Sequence, residues 1–224
     1  MPGTETISDR PSTAKGRETR RRIVEAAADL MVERGVAAVS LDEVGRITST
    51  SKSQMYHYFT SKDALVTAVV LCVRDRILAF QGDLLVGVRS VDDLQQWADS
   101  IVALHRRAPQ WSGCPLGTLA SELTGETGAG RIDILEAFGS WQLLLHDALA
   151  RLRDSGSLRA DADVERLAIA MLASLEGGLL LSRALQDETP LAVALDAAIG
   201  HLRTFAVPDD VDDDRSQERP PDRG

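Results

Sequence analysis

SLDEVGRITSTSKSQMYHYFTSK, residues Ser40 to Lys62, has the rhythm of two short helices joined by a tight turn. Ser40 with Glu43 three residues on fits a capping box that opens the first helix. Ser51 is a good N-cap for the second, and Ser61 for a further helix that begins at Lys62. Within Ser51–Phe59, Met55 and Phe59 lie four apart and should face inward with Tyr58 beside them. Lys52, Ser53, Gln54, Tyr56 and His57 are then left facing outward. That outward set suits nucleic acid. Gln can pair with adenine and Lys can reach guanine acceptors, while Tyr and His suit phosphate oxygens or a thymine methyl. Lys62 would offer both a charge and a helix N-terminus to a phosphate. Ser40 is placed with the same DNA-facing set. Two helices around a turn, the second carrying such a surface, form the arrangement that presents a helix to the DNA major groove.

Upstream, Ile23, Ala26, Ala27, Leu30 and Met31 recur with helical spacing over residues 17–34, and Gly35 is a natural stop. Arg17, Arg20, Arg21 and Arg22 crowd the front of that helix, where they could clamp the DNA backbone. Downstream the pattern remains helical: from Lys62 through Leu78, then 92–107, 115–123, 132–153, 163–186 and 191–205. No alternating strand pattern appears. The expected fold is all-α, with an N-terminal three-helix helix-turn-helix domain (17–62) and a larger helical ligand-binding and dimerisation domain (63–206). A mobile arm (1–16) and a disordered acidic tail (207–224) are expected to flank them.

Charge divides along the same boundary. The net charge is −9. Residues 1–62 carry 10 Lys+Arg against 8 Asp+Glu, a balance of +2, and the remainder carries 15 against 26, or −11. An acidic bulk with a basic head excludes a protein that coats DNA over its whole surface and favours nucleic-acid contact at one end. Two cysteines, Cys72 and Cys114, do not make a disulfide framework. The first residues lack the apolar stretch of a secretory signal, and no uninterrupted apolar run approaches the roughly 20 residues of a membrane span. A soluble, cytoplasmic protein without membrane partner or cofactor is expected. His105 and His146 lack acidic or cysteine partners at ligand spacing, so no metal site is expected. Nor does an oxyanion loop or third orienting group accompany Cys114 and either histidine, so an enzyme is not expected.

RETRRRIVEAAADLMVERG, SLDEV and SKSQMYHYFTSKDAL, within residues 17–66, resemble the N-terminal domain of the TetR family of bacterial transcriptional regulators. The resemblance implies a homodimer whose two helix-turn-helix heads read a palindromic operator. It also implies a variable C-terminal domain that binds a small effector, most often releasing DNA through movement of the fourth helix. Lys52, Ser53, Gln54, Tyr56, His57 and Lys62 match the family's DNA contacts. The chain departs from the family at the turn, where Ile47-Thr48-Ser49-Thr50 replaces the usual Ala-Ala-Gly-Val, and Gly45 replaces an alanine. Ser49 would then take the left-handed backbone normally given to glycine, at a cost of around 1 kcal/mol. A slightly less stable head follows from that.

SGCPLGTLASEL, Ser112–Leu123, resembles a signature of the LmrA/YxaF-like subgroup, supported by EGGLLLSRAL near the C-terminus. Pro115 fits the first turn of a helix and puts Cys114 at its positive end, where a thiolate would be favoured. A redox-active thiol and an ordinary small buried residue are both open readings of Cys114. The effector pocket is expected between the fourth helix and the C-terminal half. Trp97, Ile101, His105, Trp111, Cys114, Phe138, Trp141, Leu145 and Met171 are its candidate lining, which suits a flat apolar or aromatic ligand. The Ala/Leu-rich last two helices are expected to pair with their symmetry mates in a four-helix dimer bundle. Leu172, Leu175, Gly178, Leu179, Leu195, Ile199 and Leu202 are the candidate contacts.

Overall fold

The computed structural model describes residues 13–107, 113–123 and 129–208. Nine helices occur among them: α1 (Ala14–Arg34), α2 (Leu41–Ile47), α3 (Lys52–Tyr58), α4 (Lys62–Leu85), α5 (Val91–Arg107), α6 (Pro115–Leu123), α7 (Ala129–Asp154), α8 (Val164–Leu185) and α9 (Thr189–Arg203). The fold is all-α. The only β pairing among the described residues is an isolated bridge between Leu158 and Ala206.

The head is α1 to α3. Thr13 caps α1 by accepting from the Gly16 N–H at 3.1 Å, so the helix begins within the stretch assigned to the arm; residues 1–12 lie outside the described set. Gly35 ends α1 with φ +89°, a left-handed value that glycine adopts at no steric cost. Ile23, Ala27, Met31, Val39, Val44, Met55 and Phe59 form the buried centre of the head. As read from the sequence, Met55 and Phe59 face inward.

The C-terminal helices stack beneath the head. α4 packs on α7, α7 on α8, α8 on α9, and α5 on α9. Their shared core includes Leu94, Trp97, Leu145, Met171, Leu175 and Ile199. The α9 helix opens two residues before its expected start, because Pro190 falls inside the first turn, where its missing N–H costs no helical hydrogen bond. α8 ends at Gln186, which takes a left-handed φ of +54°. By length and composition α8 is also long and apolar enough to cross a membrane. Its inner face is buried against α7 and α9.

Beyond α9 the chain is stitched to the α7–α8 loop. The Arg159 N–H donates to the Phe205 carbonyl (2.9 Å), the Val207 N–H donates to the Ser157 carbonyl (3.0 Å), and the Arg159 guanidinium lies over the Phe205 ring. That loop meets the α4–α5 connection, where the Ser157 hydroxyl donates to the Arg89 carbonyl, and in the last turn of α7 Arg151 donates to the Leu85 carbonyl of α4. Residues 209–224 of the expected tail lie outside the described set.

Candidate functional site

The reading surface is built on the α2–α3 turn. Ser49 holds φ at +51°, the left-handed value expected of it. The Thr48 hydroxyl donates to the Val44 carbonyl (2.8 Å) and sits 3.0 Å from the Thr50 hydroxyl, with both threonines buried. The two buried hydroxyls therefore satisfy one another. Gly45 lets α2 approach closely: a methyl there would lie 3.0 Å from Met55 Cγ and from the Thr50 carbonyl.

From this turn α3 presents Lys52, Ser53, Tyr56 and His57 on one exposed face, with Gln54 also exposed. Two of these groups have local partners. Lys52 Nζ lies 3.6 Å from an Asp42 carboxylate oxygen, a surface pair weak enough to yield to a phosphate. Gln54 Oε1 accepts from the Ser51 N–H and hydroxyl, each at 3.2 Å, while Ser51 Oγ caps the Gln54 N–H. The complete capping box is thus at Ser51/Gln54. At Ser40 only half is present: Ser40 Oγ accepts from the Glu43 N–H, while the Glu43 carboxylate pairs with Arg34 at 2.8 Å.

The arginines of α1 divide. Arg17 and Arg22 are exposed. Arg20 is half-buried with its guanidinium 5.0 Å from the Phe59 ring centroid. Arg21 is held by Glu18 and Glu25 of its own helix, at 2.6 and 2.7 Å. Lys62 donates to the Ala37 carbonyl at 3.2 Å.

The second candidate site is a cavity of about 270 Å³ among α4, α5, α7, α8 and the start of α6. Four expected residues line it: Ile101, His105, Cys114 and Trp141. Leu175 and Leu179, expected at the dimer interface, line it too, as do Ile77, Phe80 and Gln81 of α4. Nothing in the spacing of the α4 residues marked them, because that helix is apolar over much of its circumference. The remaining expected residues lie elsewhere. Trp97 is deeper, its indole N–H donating to Gln81 Oε1 at 2.7 Å. Leu145 and Met171 are fully buried core, and Phe138 is half-buried against it. Trp111 lies outside the described residues.

Three polar side chains border this cavity: Arg76, which is paired with Asp29 at 2.8 Å, Gln81, which accepts from the Trp97 indole, and His105. Burial holds the His105 imidazole below its ordinary value, against the pull of Glu188. The buried Trp141 indole N–H has no hydrogen-bond partner among the described residues. Cys114 is buried, which disfavours a thiolate. The Gly117 N–H does reach Sγ at 3.3 Å, but burial, reinforced by the Glu176 carboxylate, pushes the thiol well above its ordinary value. Burial in turn raises Glu176.

The expected dimer contacts also need reassignment. Leu172, Leu175, Gly178, Leu179, Leu195, Ile199 and Leu202 are all buried inside the chain, where α8 meets α9 and α7. Helices that are apolar around most of their circumference do not reveal which side faces their own chain. The exposed apolar residues of this pair are Ile169, Leu180, Leu181, Leu185 and Val193.

Comparison with known proteins accords with this geometry. Residues 23–69 match the profile of bacterial regulatory proteins, tetR family, and residues 90–198 match the tetracyclin repressor-like C-terminal domain. An uncharacterized HTH-type transcriptional regulator in the lacX 3′ region of Lactococcus lactis is 28% identical over 176 residues, covering 76% of this chain and 86% of its own. The uncharacterized regulator YxaF of Bacillus subtilis is 23% identical over 181 residues, 80% of this chain and 92% of its own. The crystal structure of a TetR-family regulator from Cytophaga hutchinsonii superposes with a TM-score of 0.77 at 21% identity, covering 89% of this chain and all of that one.

Proposed function

The chain belongs to the TetR family of transcriptional regulators, and from that premise we propose that it is a homodimeric repressor, released from a palindromic operator by a small apolar or aromatic effector. It is a regulator and not an enzyme. One observation carries the finer reading. α4 begins at Lys62 beside the reading helix, and the same helix supplies Ile77, Phe80 and Gln81 to the cavity. Fifteen residues of helix between Lys62 and Ile77 span about 22 Å as a stiff rod. A ligand that repacks the cavity end therefore displaces the head end.

The cavity's character sets the class of effector. Its walls are largely aliphatic and aromatic, burial disfavours a charged His105 imidazole, and the Trp141 N–H has no acceptor among the described residues. An uncharged, flat ligand with one hydrogen-bond acceptor fits that description. The two heads are brought together through the outward face of α8 and α9, and the protein works in the cytoplasm, where its operator is.

The test is fluorescence-anisotropy binding to DNA taken from just upstream of its own gene, against a scrambled duplex at physiological salt. Tight binding to the native fragment alone is expected, and a panel of uncharged aromatic compounds should contain one that releases it. Equal weak binding to both duplexes would overturn a local operator. Lys62→Ala should flatten the salt dependence by about one unit in the log–log slope, as loss of one phosphate contact requires.

A further inference from the structure

The loop between α1 and α2 is held by a carboxylate that comes from the other domain. Glu122, near the end of α6, accepts from the Val36 N–H with one oxygen and from the Ala37 N–H with the other, each at 3.0 Å. The loop is shaped around it. Gly35 takes φ +89°, and a methyl at Gly35 would lie only 2.5 Å from a Glu122 carboxylate oxygen. On its other side the Ala37 carbonyl accepts from Lys62. Three residues after Ala37, Ser40 caps α2 and the reading unit begins.

The opposite end of α6 borders the effector cavity, through Cys114 and Pro115. Between the two ends, α6 is a single short rod of about 13 Å. Leu116, Leu119 and Leu123 bury one side of it. Arg183 of α8 donates to the Thr118 hydroxyl at 3.0 Å, and that hydroxyl in turn donates to the Cys114 carbonyl.

We propose that Glu122 is a positioning residue through which α6 sets the placement of the reading head, in parallel with α4. This rests on the regulator reading above and adds to it a second mechanical link. A ligand pressing on Cys114 and Pro115 shifts α6 along or about its axis. The paired bonds to the Val36 and Ala37 N–H groups pass that shift to the loop from which α2 and α3 hang. A carboxylate suits the task, because two charge-assisted bonds from one planar group fix orientation as well as distance.

The experiment uses the full chain as wild type, Glu122→Gln and a control, Asp133→Asn, which removes a different interhelical carboxylate: the one accepting from Thr67. Amide exchange at Val36 and Ala37 is followed by NMR. Glu122→Gln should speed exchange at both amides at least about tenfold with core amides of α7–α9 unchanged; Asp133→Asn should leave both as in wild type. A duplex that wild type selects from random-sequence DNA should bind Glu122→Gln several-fold more weakly. Cys114→Phe, which puts bulk into the cavity, should alter exchange at Val36 and Ala37 in wild type but add nothing in the Glu122→Gln background. If Cys114→Phe does not fold, Leu104→Trp replaces it, Leu104 of α5 being a further residue that lines the cavity. Unchanged exchange, unchanged affinity for the selected duplex, or full additivity of the two substitutions would overturn the role given to Glu122. Failure of wild type to select any duplex would instead overturn the regulator reading, and the head-positioning role with it.

Discussion

At Gly178 the α8 backbone comes close to α9. A methyl there would sit 2.8 Å from Leu191 Cα, and backbone cannot give way as a flexible side chain does. Gly178→Ala should therefore push α9 off α8 and cost about 1–3 kcal/mol, measured as a lower urea midpoint at constant m. Glu176, two residues earlier, governs a pH effect. Burial raises its carboxyl above the ordinary 4.5, so the folded chain binds that proton more tightly than the unfolded one. Its contribution to stability is greatest below pH 4.5 and declines as pH climbs through the raised value. Glu176→Gln removes that decline, so the variant should gain on wild type as pH rises from 4.5. His105, lowered from its ordinary 6.5 by burial, works with the opposite sign, adding stability as pH rises toward 6.5. Subtracting wild-type from variant urea midpoints at each pH cancels it.

At the scale of elements, the α2–turn–α3 unit holds a local strain and its compensation together. Replacing Ser49 by glycine relieves a left-handed backbone worth roughly 1–2 kcal/mol and returns roughly 0.4–1 kcal/mol to the unfolded chain as entropy. Ser49→Gly should stabilise the head by roughly 0.5–1 kcal/mol, read from head-specific amide exchange. Gln54→Ala breaks the capping box and should destabilise α3 by about 1 kcal/mol; Gln54→Glu should keep the box and lose adenine preference. The left-handed Ser49 was legible only through the family resemblance, because Ser49 stands where the family carries a glycine. The partnership of the Thr48 and Thr50 hydroxyls was not legible, since it depends on side-chain rotamers. The Ser-x-x-Glu/Gln spacing occurs at Ser40 and at Ser51, and the sequence reading placed the box at the first. Arg34, nine residues before Glu43, draws that carboxylate away, and only the packing of α1 on α2 reveals it.

Across the whole molecule, the order and type of the helices were legible from apolar spacing and caps, whereas their facing was not. Leu175 and Leu179 look identical to Leu180 and Leu181 in a run of apolar letters, yet the first two are buried and the others are 67% and 53% exposed. The cavity residues of α4 escaped for the same reason. Leu180→Asp with Val193→Asp should convert the dimer to folded monomers by sedimentation and abolish tight operator binding. Leu175→Asp, by contrast, should unfold the chain.

The stitching of Phe205–Val207 to the α7–α8 loop has a practical consequence. That loop is tied to Arg89, just past the Leu85 end of α4, and α4 is 24 residues long, so Val207 lies at the pole about 36 Å along the rod from Lys62. A fluorescent reporter fused after Pro208 would be carried at the pole opposite the DNA, clear of the operator. Trimming the chain back through Phe205 would instead unfasten the last turn of α9. The C-terminal pole is the place to attach cargo when this regulator is made into a sensor.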